Sequence, residues 1–209
     1  MPRPKLRGWL HQQAFFASIP AGIALVALAS VPVARVGAMV FAGALIGLYG
    51  VSAAYHRRRW SDRARRNMRY LDHSMIFVLI AGTYTPITLL ALGSAWGITL
   101  LALAWSGAVA GILITVLHFE RLHRLGFAMY LVLGWLAIIA GPELVNSLSR
   151  VELALLVFGG LLYTVGAIIL GTKRPDPHPT VFGYHEVWHA CVVGATACHF
   201  VLVLLLVRA

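Results

Sequence analysis

Residues 184–207 read YHEVWHACVVGATACHFVLVLLLV, and this stretch decides the fold. A helix of this length, rising ~1.5 Å per residue, crosses the ~30 Å of hydrocarbon in a bilayer. It is apolar almost throughout, yet its first turns carry His185, Glu186 and His189. Six further apolar stretches precede it, at roughly 14–33, 36–55, 71–92, 95–117, 125–141 and 151–171. The connections between them are too brief to form a soluble domain.

Composition agrees. The chain of 209 residues is 60% hydrophobic and only 11% charged, whereas a soluble domain is about half apolar and a quarter charged. Too little polar surface exists to cover such a chain in water, so a membrane is its solvent. No strand alternation or repeat competes with the helical pattern. The expectation is an all-α protein, a seven-transmembrane helix bundle forming one integral membrane domain over residues 1–209. Pro20 and Pro86 fall inside spans, where neighbouring helices accommodate a break. Gly43-x-x-x-Gly47 reads as close packing of helices within the chain.

The basic start, Met1-Pro2-Arg3-Pro4-Lys5-Leu6-Arg7, resembles that of a signal peptide, and Ala27-Leu28-Ala29-Ser30 imitates a cleavage site. The apolar run is longer than a signal core, which favours a retained helix. Cys191 and Cys198 sit in the last helix, where they cannot comfortably bridge, and read as small packing residues.

The net charge of +10 raises nucleic acid as a partner, but position argues against it. Arg3, Lys5, Arg7, Arg57, Arg58, Arg59, Arg63, Arg65, Arg66, Arg69, Arg121, Arg124, Lys173 and Arg174 all fall on one side of the membrane if the spans alternate. Only Arg35, Arg150 and Arg208 fall on the other. Positive residues mark the cytoplasmic face, which puts the N-terminus in and the C-terminus out. The Arg-rich 57–69 loop is suited to anionic lipid headgroups. No aromatic platform accompanies the charge, so no nucleic-acid partner is expected.

That orientation gives each polar residue a depth. Helix 2 ends at the cytoplasmic face with Ser52 and His56 one turn apart. Helix 3 starts there, with Asp72 in its first turn, and helix 7 brings His185 and His189, which share a helical face. Three segments thus deliver Ser52, His56, Asp72, His185 and His189 to one layer. Three neutral imidazoles and a water form a tetrahedral Zn²⁺ set with an open position. Zinc lowers the pKa of a bound water towards ~7. Asp72 is the candidate general base and Ser52 a further polar support. A structural zinc site is worth ~10–16 kcal/mol in peptide models, ample to offset the few kcal/mol that each polar group costs at depth.

The remaining histidines read differently. His73 points about 100° away from Asp72 around the helix and is placed beside the site or at the interface. His11, His118, His123 and His178 read as solvated residues of tails and loops. His199 lies ~15 Å beyond His189, too deep for the same metal, and is unexplained.

Ser52-x-x-x-His56 followed by Asp72, Gly82-Thr83-Tyr84-Thr85-Pro86, and His185-x-x-x-His189 in the last helix resemble the bacterial hemolysin III branch of the progestin and adipoQ receptor family. The resemblance runs through span number, orientation and motif order over nearly the entire chain. It implies a seven-helix protein of the plasma (inner) membrane of a bacterium, with zinc on the cytoplasmic side. It makes His56, His185 and His189 the ligands, with Asp72 holding the water and Ser52 nearby. Many family members carry a Glu and an Asn ahead of helix 1, and Leu6-Arg7-Gly8-Trp9-Leu10-His11-Gln12-Gln13 lacks both. The family name implies lysis of other cells, but nothing here resembles a secreted pore-former.

Two functions lead. One is a zinc-dependent hydrolase of a lipid amide or ester, as some members of the wider family look like zinc-dependent ceramidases. The other is a non-catalytic sensor of membrane lipid state with structural zinc. His185-Glu186-x-x-His189 also fits the metalloprotease pattern with Glu186 as base, though that pattern does not call on His56. No helix shows the continuous polar stripe of a channel.

The orientation is directly measurable. Reporters fused after Arg59 or Lys173 are expected to read cytoplasmic, and those after Gly93 or Arg208 external. A cytoplasmic C-terminus would dissolve the shared polar layer.

Overall fold

The structure, a computed structural model, describes residues 4–209, with only the backbone described for Ser94, His118, Phe119, Glu120, His123 and Arg124. Seven helices are long and apolar enough to cross a membrane. They are α1 (Trp9–Ala27), α2 (Pro32–Arg57), α3 (Asp62–Leu90), α4 (Ala95–Leu117), α5 (Leu125–Ser147), α6 (Arg150–Thr172) and α7 (Tyr184–Arg208). Among the described residues there is no strand, only an isolated bridge between His178 and Phe182. The chain is therefore an all-helical, seven-span integral membrane protein. Its outer faces carry apolar side chains such as Ile98 and Val132, more than two-thirds exposed. These suit hydrocarbon and would be costly in water.

Local chemistry sets the helix ends. Pro32 opens α2 at its first turn, where a missing N–H costs nothing. Ser149 and Glu152 cap α6 reciprocally, the Glu152 N–H donating to Ser149 Oγ and the Ser149 N–H to Glu152 Oε2. Pro86 stays within α3, where Thr83, Thr85 and Thr88 hydroxyls donate to carbonyls one turn back. α5 tightens to a 3₁₀ turn over Leu136–Ala140 before restarting at Gly141.

Several boundaries differ from the apolar pattern: α2 starts at Pro32 and α5 runs to Ser147, and three further departures bear on the site and the chain path. α1 begins at Trp9 and ends at Ala27, several residues earlier than the expected 14–33. His11 therefore lies inside the first helix. α3 begins at Asp62, so most of the Arg-rich segment is helical. Charge fixes where a helix leaves hydrocarbon, not where it ends, and the Asp62 carboxylate suits the first turn. Asp72 consequently sits about three turns into α3, not in its first turn. α4 and α5 form one continuous helical run, Ser94–Gly134, that reverses direction between them. Leu133 packs on Gly107, two positions that a straight helix would hold ~39 Å apart.

α7 organises the bundle. It lies along α6 and also touches α1, α2 and α3. The α2 face Ala34, Ala38, Phe41, Leu45, Leu48 and Ser52 is buried at helical spacing. Near its middle, the Tyr49 hydroxyl meets that of Thr196 on α7. The two glycines of Gly43-x-x-x-Gly47 do not act together. A Cβ on Gly47 would lie 2.7 Å from Met75 Cε on α3, whereas Gly43 faces open space.

α2 and α3 approach closely at Gly82, where a Cβ would lie 2.7 Å from Ala44 Cβ. Gly82→Val is expected to destabilise the bundle by ~1–3 kcal/mol through overpacking, read as a lower Tm in detergent. Gly43→Ala should leave Tm unchanged or slightly raised. Equal Tm for Gly82→Val and wild type would contradict this packing.

Candidate metal centre

The last turn of α2 and the first two turns of α7 meet. His56, His185 and His189 each offer a ligand atom within 4.8 Å of the others. His56 Nε2 and His185 Nε2 are 3.3 Å apart. A tetrahedral ion with bonds of ~2.0–2.1 Å holds its nitrogen donors ~3.3–3.4 Å apart, so this pair already has ligand spacing. The three rings meet at 64–69° to one another, with centroids 4.6–5.2 Å apart. They converge edge to face, as imidazoles around a common point do.

His189 gives the sharper argument. It is only 1% exposed, and neither of its ring nitrogens has a hydrogen-bond partner among the described residues. Each unsatisfied buried group costs roughly 1–3 kcal/mol. A metal ion bound at one ring nitrogen would remove that cost there, and the donor set fits one.

Asp72 borders this set without joining it. Its Oδ2 lies 3.8 Å from His56 Nε2 and 3.9 Å from His73 Nδ1. Ser52 neighbours the Asp72 carboxylate, and its Oγ lies 2.9 Å from His11 Nδ1. α2 and α3 thus place the two sequence-derived polar groups beside the triad. The half-buried His73 ring donates to the Arg69 carbonyl at 2.8 Å, outside the triad.

The protease reading fails on geometry. Glu186 is 1% exposed, with Oε1 2.6 Å from Arg7 Nε and Oε2 accepting from the Gly183 N–H at 2.9 Å. Both oxygens are engaged in capping α7 and holding the N-terminal segment. That segment also pairs by backbone, Lys5 N–H to Thr180 O and Leu6 N–H to Val181 O. Glu186 is a strap, not a base.

His11 is the main correction. It belongs to no tail: it is 2% exposed within α1, and its ring stacks on His189 at 3.7 Å and 12°. A signal for this was present. His11, Ser18, Gly22 and Leu25 share one helical face, and all four are buried. His199 is also accounted for, since its Nε2–H donates to Leu156 O on α6 at 3.2 Å and its ring fills the space above Gly159. His178 is exposed in the loop before α7. The side chains of His118 and His123 lie outside the described residues. Cys191 and Cys198 are free thiols, and Cys191 packs on Gly166.

Two cavities meet at Asp72. One, of about 390 Å³, is lined mainly by apolar side chains of α2, α3, α5, α6 and α7 and reaches His11, Ser52 and Asp72. The other, of about 360 Å³, is lined by Arg7, His56, Asp72 and His185 among others. Asp72, Ile76, Tyr130 and Trp188 border both.

Comparison with known proteins agrees with this architecture. The family described as "Haemolysin-III related" matches residues 1–200. "Hemolysin-3 homolog" of Bacillus subtilis (strain 168) is 39% identical over 79% of this chain and 74% of its own. "Hemolysin-3" of Bacillus cereus is 37% identical over 90% of this chain and 84% of its own. Seven spans, a histidine triad joining the second helix to the last, and these matches along almost the full length place the chain in the haemolysin-III related family.

Proposed function

We propose that the protein is a zinc-dependent hydrolase of a membrane lipid amide or ester, with His56, His185 and His189 holding the metal. The observation that carries this reading is the position of Asp72. One carboxylate borders both the histidine triad and an apolar cavity of about 390 Å³ reached from within the bundle. A structural metal site needs neither a carboxylate at its edge outside the donor set nor such a cavity.

Zinc, when bound, supplies a Lewis acid that polarises a carbonyl and acidifies water. The chain's own groups do the rest. Asp72 takes the proton from the attacking water at its carboxylate, as general base. Ser52 fixes that carboxylate by a hydrogen bond. Apolar side chains such as Leu79, Ile80 and Leu156 hold the lipid chain and exclude bulk water. We place the site near the cytoplasmic face of a bacterial plasma membrane. There the arginines of 57–69 attract anionic headgroups, and no nucleic acid is involved.

The second reading is a non-catalytic regulator of lipid state, in which the metal only ties α2 to α7. The complete burial of His189 favours it, because a purely structural ligand needs no access. Both readings keep the protein in its own membrane, and we do not extend the lytic sense of the relatives' names to it.

Three outcomes are expected. Purified protein should carry about one zinc per chain. His56→Ala, His185→Ala or His189→Ala should lower bound zinc and Tm together, since binding energy is linked to folding. His199→Ala and His178→Ala should leave zinc content unchanged, and full zinc in the His185→Ala/His189→Ala double variant would sink the assignment.

Asp72→Asn separates the two readings. Asn keeps the size and one acceptor oxygen, so zinc and fold should persist while hydrolysis falls by ~10²–10⁴-fold. Identical lipid profiles from wild type and Asp72→Asn across a broad lipid screen would favour the regulator.

Glu186→Gln is expected to lower Tm through loss of the buried Arg7 pair, with hydrolysis per folded molecule retained. Loss of turnover in a folded, zinc-loaded Glu186→Gln protein would restore the protease reading.

A further inference from the structure

Three imidazoles make the candidate centre, yet four lie together. His11 comes from α1, which contributes no ligand, and its ring nitrogens fall outside the set of mutually close donor atoms. Its ring is nearly parallel to that of His189, at 12° and 3.7 Å between centroids. Its Nδ1 lies 2.9 Å from Ser52 Oγ, and Tyr49 packs edge-on at 5.1 Å.

Its placement is built into the backbone. Gly8 has φ +75°, the left-handed region open to glycine, and turns the chain into α1. A Cβ there would lie 2.5 Å from His56 Cβ. The same residue therefore lets the start of α1 approach the end of α2. His11 follows one turn later.

A histidine that ligates a metal normally has its ring orientation fixed by a hydrogen bond on the other nitrogen. His189 has no such partner among the described residues. Its neighbours are rings: His56 and His185 as fellow ligands, Trp188 tilted at 49°, and His11 face to face. Only His11 lies flat against it and is itself tethered by a hydrogen bond.

We propose that His11 is a positioning residue of the metal centre, fixing the plane of His189 by stacking and holding Ser52 against Asp72 by its Nδ1. The inference rests on the reading of His56, His185 and His189 as a metal site. It gives α1 a role that the three ligands do not. Stacking replaces the hydrogen bond that would otherwise orient the ring, and the Nδ1 contact ties that ring to the group supporting the base.

The test uses the full-length protein in detergent, with Zn²⁺ affinity read by chelator competition and geometry read from the visible spectrum after Co²⁺ substitution. His11→Ala removes both the stack and the tether, whereas His11→Phe keeps a ring and loses only the tether. His11→Ala is expected to bind Zn²⁺ ~10–100-fold more weakly, the usual scale for losing a group that orients a ligand, and to alter the Co²⁺ spectrum. His11→Phe should recover most of the affinity and the wild-type spectrum, and it serves if the alanine variant does not fold.

A role confined to filling space would lower Tm in His11→Ala while leaving affinity and spectrum unchanged, which overturns the proposal. Affinity in His11→Phe as low as a ligand loss would overturn the stacking role. A wild type that binds no metal would remove the metal site and this inference together. Normal binding with an unaltered His11→Ala spectrum would remove the inference alone.

Discussion

The meeting of α7 with the end of α2 is the contact on which the rest of the structure depends. α7 touches α1, α2, α3 and α6, and its first turns bring two histidines and a glutamate to the level of His56. Polar groups at that depth tolerate no loose arrangement, because each unsatisfied one costs free energy in a medium without water. The bundle answers with specific partners. Glu186 is held by Arg7 and the Gly183 N–H, Ser52 by His11. Among the described residues, the ring nitrogens of His189 have no hydrogen-bond partner, and one of them belongs to a donor set that could hold a metal ion.

The same region organises the helix ends around it. Gly8 allows α1 to start against His56, and the N-terminal segment pairs with residues 180 and 181 just before α7. Arg7 then reaches the first turn of α7. The stretch ahead of the first span therefore forms part of the wall around the site. An Arg–Glu pair performs the closing, burying one carboxylate with its partner attached. Two cavities behind this wall share Asp72 in their linings, one mainly apolar and the other bordered by Arg7, His56 and His185.

Much of the candidate site was legible in the residue order. His185 and His189 share a face by helical spacing alone. Ser52, His56 and Asp72 join them once the spans are counted and alternated, with no contact known. The apolar run begins after His11, so hydropathy leaves it outside the span, although its register with Ser18, Gly22 and Leu25 is readable. The arginines before Asp72 have the composition of a loop, which puts Asp72 in a first turn by sequence alone. Charged residues continue a helix beyond hydrocarbon without difficulty, and hydropathy does not see that continuation. Glu186 fitted a protease pattern by spacing, and only its partners showed otherwise.

Sequence by itself determined the class of this protein: seven apolar stretches, the separation of its basic residues along the chain, and the i, i+4 pair of histidines. These follow from solvent and from helical period, which act residue by residue and need no knowledge of neighbours. Only the tertiary structure decided which ring lies on which, that α1 contributes His11, that Glu186 faces Arg7, and that one carboxylate borders two cavities. Those are properties of helices packed side by side. In a membrane every face of a span is apolar enough to bury, so periodicity does not name the inner face, and close packing does.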